Sequence, residues 1–345
     1  MTTAIRPPYD QELASVLHQL PIPSSFTLDD ISTVQKQQDA VWTLEAALEG
    51  EPFQHEELSI ASPDGNTILL SIFRPVSCLA ETGPARSSLP CIVWIHGGGM
   101  LLTNRFVGVK TPLAWAKLCG AVVVSVEYRV APAHPAPAAV EDCYTAVAWV
   151  CDRNNAERIG VDVTRVLVTG VSAGGGLAAG VSLMARDRAL VGGPRICGLV
   201  LMCPMLNDRV DDTSKALFGG SSAAIWSAET NEMAWKAILG DRYGDDSVSP
   251  YEVPGRATDL SGLPPTYIDV ASVELFRNQC IQYAARLWDA GCQVDLHVWA
   301  GGFHGFNVLV PNAALSKKSM APLMAWVQGM LQGDFDDGTM RMDSA

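Results

Sequence analysis

The segment Gly170-Val171-Ser172-Ala173-Gly174 follows a run of β-branched residues and precedes a run rich in glycine and alanine. A serine between a strand and a helix is held outward by a sharp turn, and flanking glycines allow the two elements to approach closely. The pattern therefore predicts a nucleophilic hydroxyl at Ser172. The alternative is a glycine-rich turn that serves packing alone, because a bare GxSxG pattern also occurs by chance.

A second glycine segment, HGGG at residues 96–99, follows the apolar run CIVWI. Consecutive glycines can turn their backbone N–H groups toward an oxygen that gains negative charge during a reaction. Gly98 and Gly99 are the expected donors, with the N–H of Ala173 as a third. A phosphate-binding loop would require Lys and Ser or Thr, and the apolar residues at 100–102 supply neither.

A serine hydroxyl requires a general base within hydrogen-bond reach. The chain has six histidines. Five of them lie in segments with other features: His18 and His55 in the N-terminal region, His96 in the glycine segment, His134 in a proline-rich turn and His297 within an alternating strand. His304 lies in the loop GGFHGF after the last predicted strand, where the order serine, acid, histidine places a base. His304 is therefore the predicted base.

The acid that orients this base is expected in the loop after the penultimate predicted strand, PTYIDVASVELF. Its two candidates are Asp269 and Glu274. Asp269 lies within the apolar strand, whereas Glu274 follows the strand end, near the start of the next helix. A carboxylate at that position can hold His304 in one tautomer and stabilise its protonated form. The residues favour Glu274 and leave Asp269 open.

Eight short runs rich in β-branched and aromatic residues recur along the chain: ELSIAS, TILLSIF, CIVWIH, AVVVSVEY, RVLVTG, CGLVLM, PTYIDV and VDLHVW. From the third run onward, each is separated from the next by a segment long enough for a helix, which indicates parallel strands. The first two flank Pro63-Asp64-Gly65, a turn signal that predicts an antiparallel hairpin at the sheet edge. The prediction is an α/β fold with an eight-stranded, mostly parallel sheet flanked by helices.

Two segments lie outside this alternation, residues 1–55 and 205–250. We expect the first to be an N-terminal helical cap segment and residues 56–335 to form the catalytic domain, with 205–250 contributing to the cap. A cap over the carboxyl ends of the strands would cover the edge at which open α/β sheets bind ligands. The alternative is that both segments are peripheral packing helices.

A helix is predicted over residues 274–290, directly after the candidate acid. Its apolar stripe consists of Ile281, Ala284 and Trp288. Gly291 follows at the position where helices commonly end in the left-handed conformation. An apolar stripe of this kind is typical of a helix face that is buried against the rest of the protein.

Charge and hydropathy exclude two kinds of partner. The formal net charge is −13 and no stripe of basic residues is present, so nucleic acid is not expected to bind. Residues 166–185 form an uncharged run long enough to cross a membrane. Five glycines divide this run into a short strand, a turn and a small-residue helix, so it predicts a buried segment of a sheet protein and no membrane span.

The nine cysteines are scattered and form no CxxC pair. We expect them to be reduced and mostly buried, and the alternative is that one serves as a nucleophile or metal ligand. The N-terminal residues MTTAIRPPYD lack the apolar region of a signal peptide, and the chain has no Asn-x-Ser/Thr site, which predicts a cytoplasmic location. Neither a metal nor an organic cofactor is expected.

Five blocks together resemble the hormone-sensitive-lipase-like esterases, the bacterial family IV branch of the α/β-hydrolases. They are HGGG (96–99), YRVAPAHPAPAAVEDCYTAVAWV (128–150), GVSAGG (170–175), PMLNDR (204–209) and HGF (304–306). The resemblance covers residues 58–310 and follows the order of the family. It implies a serine carboxylesterase acting on short to medium acyl esters, with a helical cap and, by a weaker implication, a homodimer.

The same resemblance implies a triad of Ser172, Glu274 and His304, and an oxyanion hole formed by Gly98, Gly99 and Ala173. It selects Glu274 because the family has an acidic residue three positions before an arginine, as in the segment ELFR at 274–277.

The chain departs from the family pattern at four positions. Val171 stands where Asp is usual and Gly176 where Asn is frequent, and Asn278 and Gln279 replace an acidic pair. The first two departures remove polar groups beside the nucleophile and leave the triad intact.

Two rival functions use the same residues. A lactonase, acyltransferase or dehydratase of specialised metabolism could employ the same serine and oxyanion donors. A small-molecule receptor could retain the fold without the chemistry, although such receptors usually lose a triad residue and this sequence has all three.

Overall fold

A computed structural model describes residues 5–17, 19–20, 26–78, 88–188, 196–220 and 225–333. His18 and the polar tail beyond residue 333 lie outside these ranges. Within them, all eight predicted strands form one sheet. Their bounds are β1 (Phe53–Ala61), β2 (Thr67–Pro75), β3 (Leu89–Ile95), β4 (Val122–Glu127), β5 (Val161–Val171), β6 (Ile196–Met202), β7 (Thr266–Val273) and β8 (Val294–Phe303).

The strands lie in the order β1-β2-β4-β3-β5-β6-β7-β8. The predicted hairpin is present: β1 pairs with β2 and β2 with β4 in antiparallel register, whereas the remaining pairs are parallel. Parallel strands all end on the same side of the sheet, so the loops that follow β3, β5, β7 and β8 meet at one edge. The α/β fold with a mostly parallel eight-stranded sheet is confirmed.

Helices cover both faces of the sheet. Their bounds are α1 (Gln11–Leu17), α2 (Ile31–Val41), α3 (Leu44–Leu48), α4 (Lys110–Cys119), α5 (Ala138–Cys151), α6 (Arg153–Ile159), α7 (Ala173–Asp187), α8 (Asp212–Phe218), α9 (Ala228–Leu239), α10 (Arg277–Asp289), α11 (Phe306–Leu309) and α12 (Ala314–Gln332). Successive side chains of a strand point to opposite faces. Accordingly Val166 and Val168 pack in the core under α5 and α7, and Leu167 packs in the core under α4 and α12. Such strands are apolar on both faces, as buried parallel strands require.

The uncharged run at residues 166–185 is divided between β5 and α7, as its glycines predicted. Ser172 is the one residue between these two elements. None of the helices in the described ranges is both long and apolar enough to cross a membrane.

The predicted apolar stripe of α10 is wrong at two of its three positions. Ala284 is buried, but Ile281 and Trp288 are 38% and 48% exposed, and the buried face contains Tyr283 and Leu287. The helix carries apolar residues on more than one side, and the position of β7 and β8 beneath it decides which side is covered. Its end is as predicted, because Gly291 follows the last helical turn with a φ of 78°.

Hydrogen bonds join residues 1–55 to the end of β8 and to the loop after β3. Near the start of this segment, the backbone N–H of Asp10 donates to the carbonyl of Gly301, just before His304. Farther along, the side chain of Gln35 donates to the carbonyl of Leu101, just after the HGGG segment. The strand β1 begins at Phe53, so the boundary drawn after residue 55 lies inside a strand rather than between elements.

Candidate active site

Ser172 occupies a strained turn between β5 and α7. Its φ of 58° and ψ of −119° lie in a region that non-glycine residues rarely adopt. Three backbone hydrogen bonds hold the turn: Ser172 N–H donates to Met202, and its carbonyl accepts from Gly176 and Met205. This geometry holds the hydroxyl out from the end of the strand, as the sequence predicted.

The glycines on either side of Ser172 are required by close backbone contacts. A Cβ on Gly170 would lie 2.3 Å from the carbonyl of Gly174, and one on Gly174 would lie 2.0 Å from the carbonyl oxygen of Ile95. Neither contact leaves room for a methyl group. Packing therefore accounts for both glycines, and the same tight crossing of strand and helix places Ser172 at the end of β5.

His304 and Glu274 complete a chain of contacts to this serine. His304 Nε2 lies 2.9 Å from Ser172 Oγ, and His304 Nδ1 lies 3.3 Å from Glu274 Oε1. The other carboxylate oxygen of Glu274 accepts the backbone N–H of Ala271 at 3.2 Å. Phe276 packs edge-on against the imidazole ring, with centroids 5.1 Å apart. All three polar groups are at least nine-tenths buried, so each contact acts in a site shielded from water.

Asp269, the second acid candidate, has a different partner. Its Oδ2 accepts the side-chain N–H of Asn307 at 3.0 Å, and no hydrogen bond within the described residues joins it to His304. Burial, reinforced by the nearby carboxylate of Glu274, raises the pKa of Asp269 to about 7. The structure therefore brings Glu274 to His304 and pairs Asp269 with Asn307 instead.

The remaining described histidines have structural surroundings. His55 contacts Ser71, His96 stacks on Tyr128, and His297 stacks on Tyr267 and Trp299. No hydrogen bond joins these histidines or His134 to Ser172 in the described part of the chain.

The three predicted oxyanion donors lie in the loops that follow β3 and β5. Gly98 and Gly99 have φ values of 105° and 67°, a conformation that favours glycine. Among the described residues, no acceptor takes the backbone N–H of Gly98 or Gly99. Ala173 is the first residue of α7, so its N–H has no acceptor inside the helix. The positive end of the α7 dipole lies at the same place and favours negative charge there.

The loop of residues 96–103, which contains the predicted oxyanion donors Gly98 and Gly99 and is called the oxyanion loop below, is held by the side chains of Thr103 and Tyr128. Thr103 Oγ1 donates to the carbonyl of Gly97 at 2.8 Å, although Thr103 has a φ of 71° that is unfavourable for a β-branched residue. Tyr128 donates from its hydroxyl to the carbonyl of His96 at 2.8 Å. Burial lowers the pKa of His96 to about 4, so its ring is neutral at pH 7. Tyr128 is the first residue of the block 128–150 that resembles the family, so the sequence offered a signal for it. No motif in the sequence pointed to Thr103.

The departures from the family pattern at Gly176 and Val171, near Ser172, both have packing explanations. A Cβ on Gly176 would lie 2.2 Å from the carbonyl oxygen of Met205, so a larger residue would displace the loop after β6. Val171 is 6% exposed and lies in the apolar cluster that includes Trp94 and Met202. An aspartate at position 171 would require a polar partner in this cluster.

The two amides that replace the acidic pair take part in specific hydrogen bonds. Gln279 Oε1 accepts the backbone N–H groups of Leu206 and Asn207, at 2.9 and 2.7 Å. Asn278 donates to Asp211 Oδ2 at 3.3 Å and to Ser214 Oγ at 3.2 Å. Gln279 thus supplies the kind of acceptor that a carboxylate would supply, whereas Asn278 supplies a donor that a carboxylate could not.

Cys203 lies beside His304 and Glu274. One ligand atom each from Cys203, Glu274 and His304 lies within 4.8 Å of the others. Burial raises the pKa of the Cys203 thiol well above its ordinary value, which keeps the thiol protonated and unreactive. All nine cysteines are free, as expected for reduced thiols.

This chain is similar in sequence and in fold to several known proteins. Residues 92–308 match a family model described as the alpha/beta hydrolase fold. Esterase LipI of Mycobacterium tuberculosis is 33% identical over 260 residues, which are 74% of this chain and 77% of that protein. Carboxylesterase NlhH of the same organism is 36% identical over 237 residues, which are 66% of this chain and 71% of that protein.

Similarity to solved structures extends over nearly the whole chain. The structure titled "Bacterial Heroin Esterase" superposes with a TM-score of 0.83 at 35% identity, over 94% of this chain and 98% of that chain. The named relatives and this structure are all esterases by their printed names.

Proposed function

Because this chain belongs to the α/β-hydrolase fold family, and within it to the hormone-sensitive-lipase-like esterases, we propose that it is a carboxylesterase with Ser172 as its nucleophile. One observation chiefly supports the proposal. The hydroxyl of Ser172, the imidazole of His304 and the carboxylate of Glu274 form a continuous line of contacts at the sheet edge. Serine, base and acid in this geometry are the requirements for nucleophilic attack on an ester.

Acylation is the first half of the proposed reaction. His304 Nε2 takes the proton of Ser172 as Oγ forms a bond to the ester carbonyl carbon. The carbonyl oxygen becomes an oxyanion that accepts hydrogen bonds from the N–H groups of Gly98, Gly99 and Ala173. The carbon–oxygen bond to the alcohol then breaks, His304 passes its proton to the departing alcohol, and an acyl-enzyme remains.

Deacylation repeats these steps with water. His304 takes a proton from a water molecule, whose oxygen attacks the acyl carbon and forms a second oxyanion. The bond to Ser172 breaks, and Oγ recovers its proton from His304 as the carboxylic acid leaves. Glu274 stabilises the protonated imidazole in both halves and undergoes no covalent change. Three side chains and three backbone N–H groups of this chain carry out both halves of the proposed reaction.

Access to Ser172 is governed by the segments around it. Ser172 is 9% exposed, so the substrate must approach between the strand ends and the residues that cover them. We propose that residues 1–55 and 205–250 form this cap, on the support of a contact between them: the rings of Phe26 and Trp226 are 6.2 Å apart. Because this cap would lie close to the loops that contain Gly99 and Ser172, it leaves little space for an acyl chain. The enzyme should therefore favour short to medium acyl esters over long ones.

The test measures hydrolysis of 4-nitrophenyl butyrate by the purified chain and by Ser172→Ala. We expect the variant to lose activity by about 10⁴-fold or more, because the remaining groups cannot form the acyl-enzyme. Ser182→Ala is the matched control, since Ser182 is a buried serine on α7 that bonds only the carbonyl of Ala179 among the described residues. Retained activity in Ser172→Ala would contradict the proposal.

Two further measurements separate the rival functions. In ¹⁸O water, hydrolysis places one solvent oxygen in the acid product, elimination places none, and transfer to an added alcohol yields a new ester. A fluorophosphonate probe labels an activated serine, so a receptor without the chemistry would leave Ser172 unlabelled. Labelling of Ser172 together with ¹⁸O in the acid is the expected result.

A further inference from the structure

The indole of Trp226 lies directly against the oxyanion loop. A Cβ on Gly99 would lie 2.3 Å from Trp226 Cη2, 2.9 Å from Cζ2 and 3.2 Å from Cζ3. The six-membered side of the indole therefore packs on the Gly99 backbone with no room for even a methyl group between them. Trp226 is 127 positions away from Gly99 by their numbering and precedes α9, so this contact joins the 205–250 segment to the loop after β3.

Three elements fix the position of this ring. Trp226 Nε1 donates to Asn231 Oδ1 at 3.2 Å, and Asn231 is fully buried on the first turns of α9. Ser227, between the two residues, caps the same helix by accepting the N–H of Thr230. Phe26 packs against the indole from the N-terminal segment at a tilt of 56°. A ring held by a hydrogen bond and two packing contacts has little freedom to move aside for a substrate.

The side chain is nevertheless not fully covered. Trp226 is half-buried, whereas Gly99, against which it packs, is buried. Part of the Trp226 side chain is therefore accessible, while its six-membered ring contacts Gly99. An ester whose carbonyl oxygen binds Gly98 and Gly99 must place the substituents of its carbonyl carbon next to this loop, and any substituent on the side of Gly99 meets the indole.

We propose that Trp226, held in place by Asn231, is a specificity-determining residue that forms the wall of the substrate site above Gly99. This inference rests on the proposed ester hydrolysis. The wall restricts the enzyme to esters whose group on that side of the carbonyl is small and unbranched. Removing a wall of this size opens space for a larger apolar group, and each methylene in a hydrophobic pocket changes the specificity constant by about 10- to 200-fold.

The experiment compares kcat/KM for 4-nitrophenyl acetate, butyrate, octanoate and 2,2-dimethylpropanoate in three variants. The ratio to follow is kcat/KM for the octanoate or the 2,2-dimethylpropanoate divided by kcat/KM for the acetate. In Trp226→Ala we expect this ratio to rise by about tenfold or more. Trp226→Phe keeps an aromatic wall and should stay within about threefold of the unmodified chain. Asn231→Leu keeps the volume of the side chain and removes the acceptor, so its ratio should change in the same direction as Trp226→Ala but less.

Trp288→Ala is the control, because Trp288 is exposed on α10 and its truncation should leave the ratio unchanged. An unchanged ratio in Trp226→Ala would overturn the proposal, as would an equal loss for all four esters, which would make Trp226 only a support of the loop. If Trp226→Ala does not fold, the same ratio in Asn231→Leu decides the question. Failure of ester hydrolysis itself is distinguishable, since the unmodified chain would then cleave none of the four esters.

Discussion

Ser172 Oγ and His304 Nε2 lie 2.9 Å apart although 132 residues separate them in the chain. Each residue follows the end of a parallel strand, Ser172 after β5 and His304 after β8. Two strands lie between these in the sheet, and Glu274 follows one of them, β7. The common direction of the strands, rather than proximity in sequence, therefore assembles the three groups at one edge.

The choice of acid can be tested by comparing two isosteric substitutions. Glu274→Gln removes the charge that faces His304 Nδ1, and we expect kcat to fall by about 10³- to 10⁴-fold because the imidazolium is no longer stabilised. Asp269→Asn removes the charge of a carboxylate whose described side-chain partner is Asn307, and kcat should fall less than about tenfold. Steady-state kinetics on 4-nitrophenyl butyrate provide the measurement. A larger loss in Asp269→Asn would reverse the assignment.

Thr103 is expected to position the oxyanion loop through its hydroxyl. Thr103→Val keeps the shape of the side chain and removes the hydrogen bond to the Gly97 carbonyl. One such bond contributes about 0.5 to 1.5 kcal/mol, so kcat should fall by about 3- to 10-fold with little change in KM. Thr103→Ser retains the hydroxyl and should recover most of the rate. Equal rates in the Val and Ser variants would show that the hydroxyl has no such role.

Gly176 should tolerate no side chain while the loop after β6 keeps its position. In Gly176→Ala the new methyl group meets the Met205 carbonyl at 2.2 Å, and we expect a loss of about 1 to 3 kcal/mol of stability. Gly175→Ala is the control with a milder contact, because its methyl group would lie 3.0 Å from Pro204. It should lower the free energy of unfolding by less than Gly176→Ala does. Thermal unfolding midpoints measure both. Equal midpoints for the two variants would mean that the loop shifts without cost.

The two amides of α10 are expected to respond differently to added charge. Asn278→Asp replaces a donor to Asp211 with a second carboxylate, and we expect a loss of about 1 kcal/mol from the missing hydrogen bond and the repulsion. Gln279→Glu keeps the acceptor for the N–H groups of Leu206 and Asn207 and should preserve stability. Urea unfolding of both variants gives the comparison. The prediction fails if Gln279→Glu is the less stable of the two.

Asp269 should make stability depend on pH. Its pKa of about 7 in the folded chain lies above the value of 3.8 for an unperturbed aspartate, so between these pH values the folded state keeps a proton that the unfolded state has lost. This contribution is complete below about pH 4 and is lost as the pH rises through 7, amounting to up to about 4 kcal/mol.

Asp269→Asn removes that dependence while keeping an oxygen to accept from Asn307. The variant should therefore gain stability relative to the unmodified chain between pH 4 and 8. Thermal midpoints at pH 5 and pH 8 measure the difference, and Asp295→Asn, at an exposed residue of β8, is the control. A difference between variant and unmodified chain that does not change with pH would contradict the shifted pKa.

The sequence by itself determined the eight strands, the hairpin at the sheet edge, the tight turn at Ser172 and the loops that contain Gly98, Gly99 and His304. These features follow from local causes: the two-residue period of strands, the conformational freedom of glycine and the order of turns along the chain. The residues also favoured Glu274 as the acid, and the resemblance to a family selected it over Asp269. Local pattern alone left Asp269 open, because a carboxylate within the strand and one just after it lie only five positions apart.

Only the tertiary structure decided which side chains meet across long separations. It brought Glu274 to His304 and Asp269 to Asn307, paired Asn278 with Asp211, and placed Trp226 on Gly99. It also determined which face of α10 is buried. That face contains Tyr283 and Leu287, whereas Ile281 and Trp288 of the predicted apolar stripe are exposed. Such contacts form between residues that are far apart in the chain, and they depend on how closely the sheet, the helices and the cap segments pack together. A pattern of neighbouring residues does not show which distant side chains will meet.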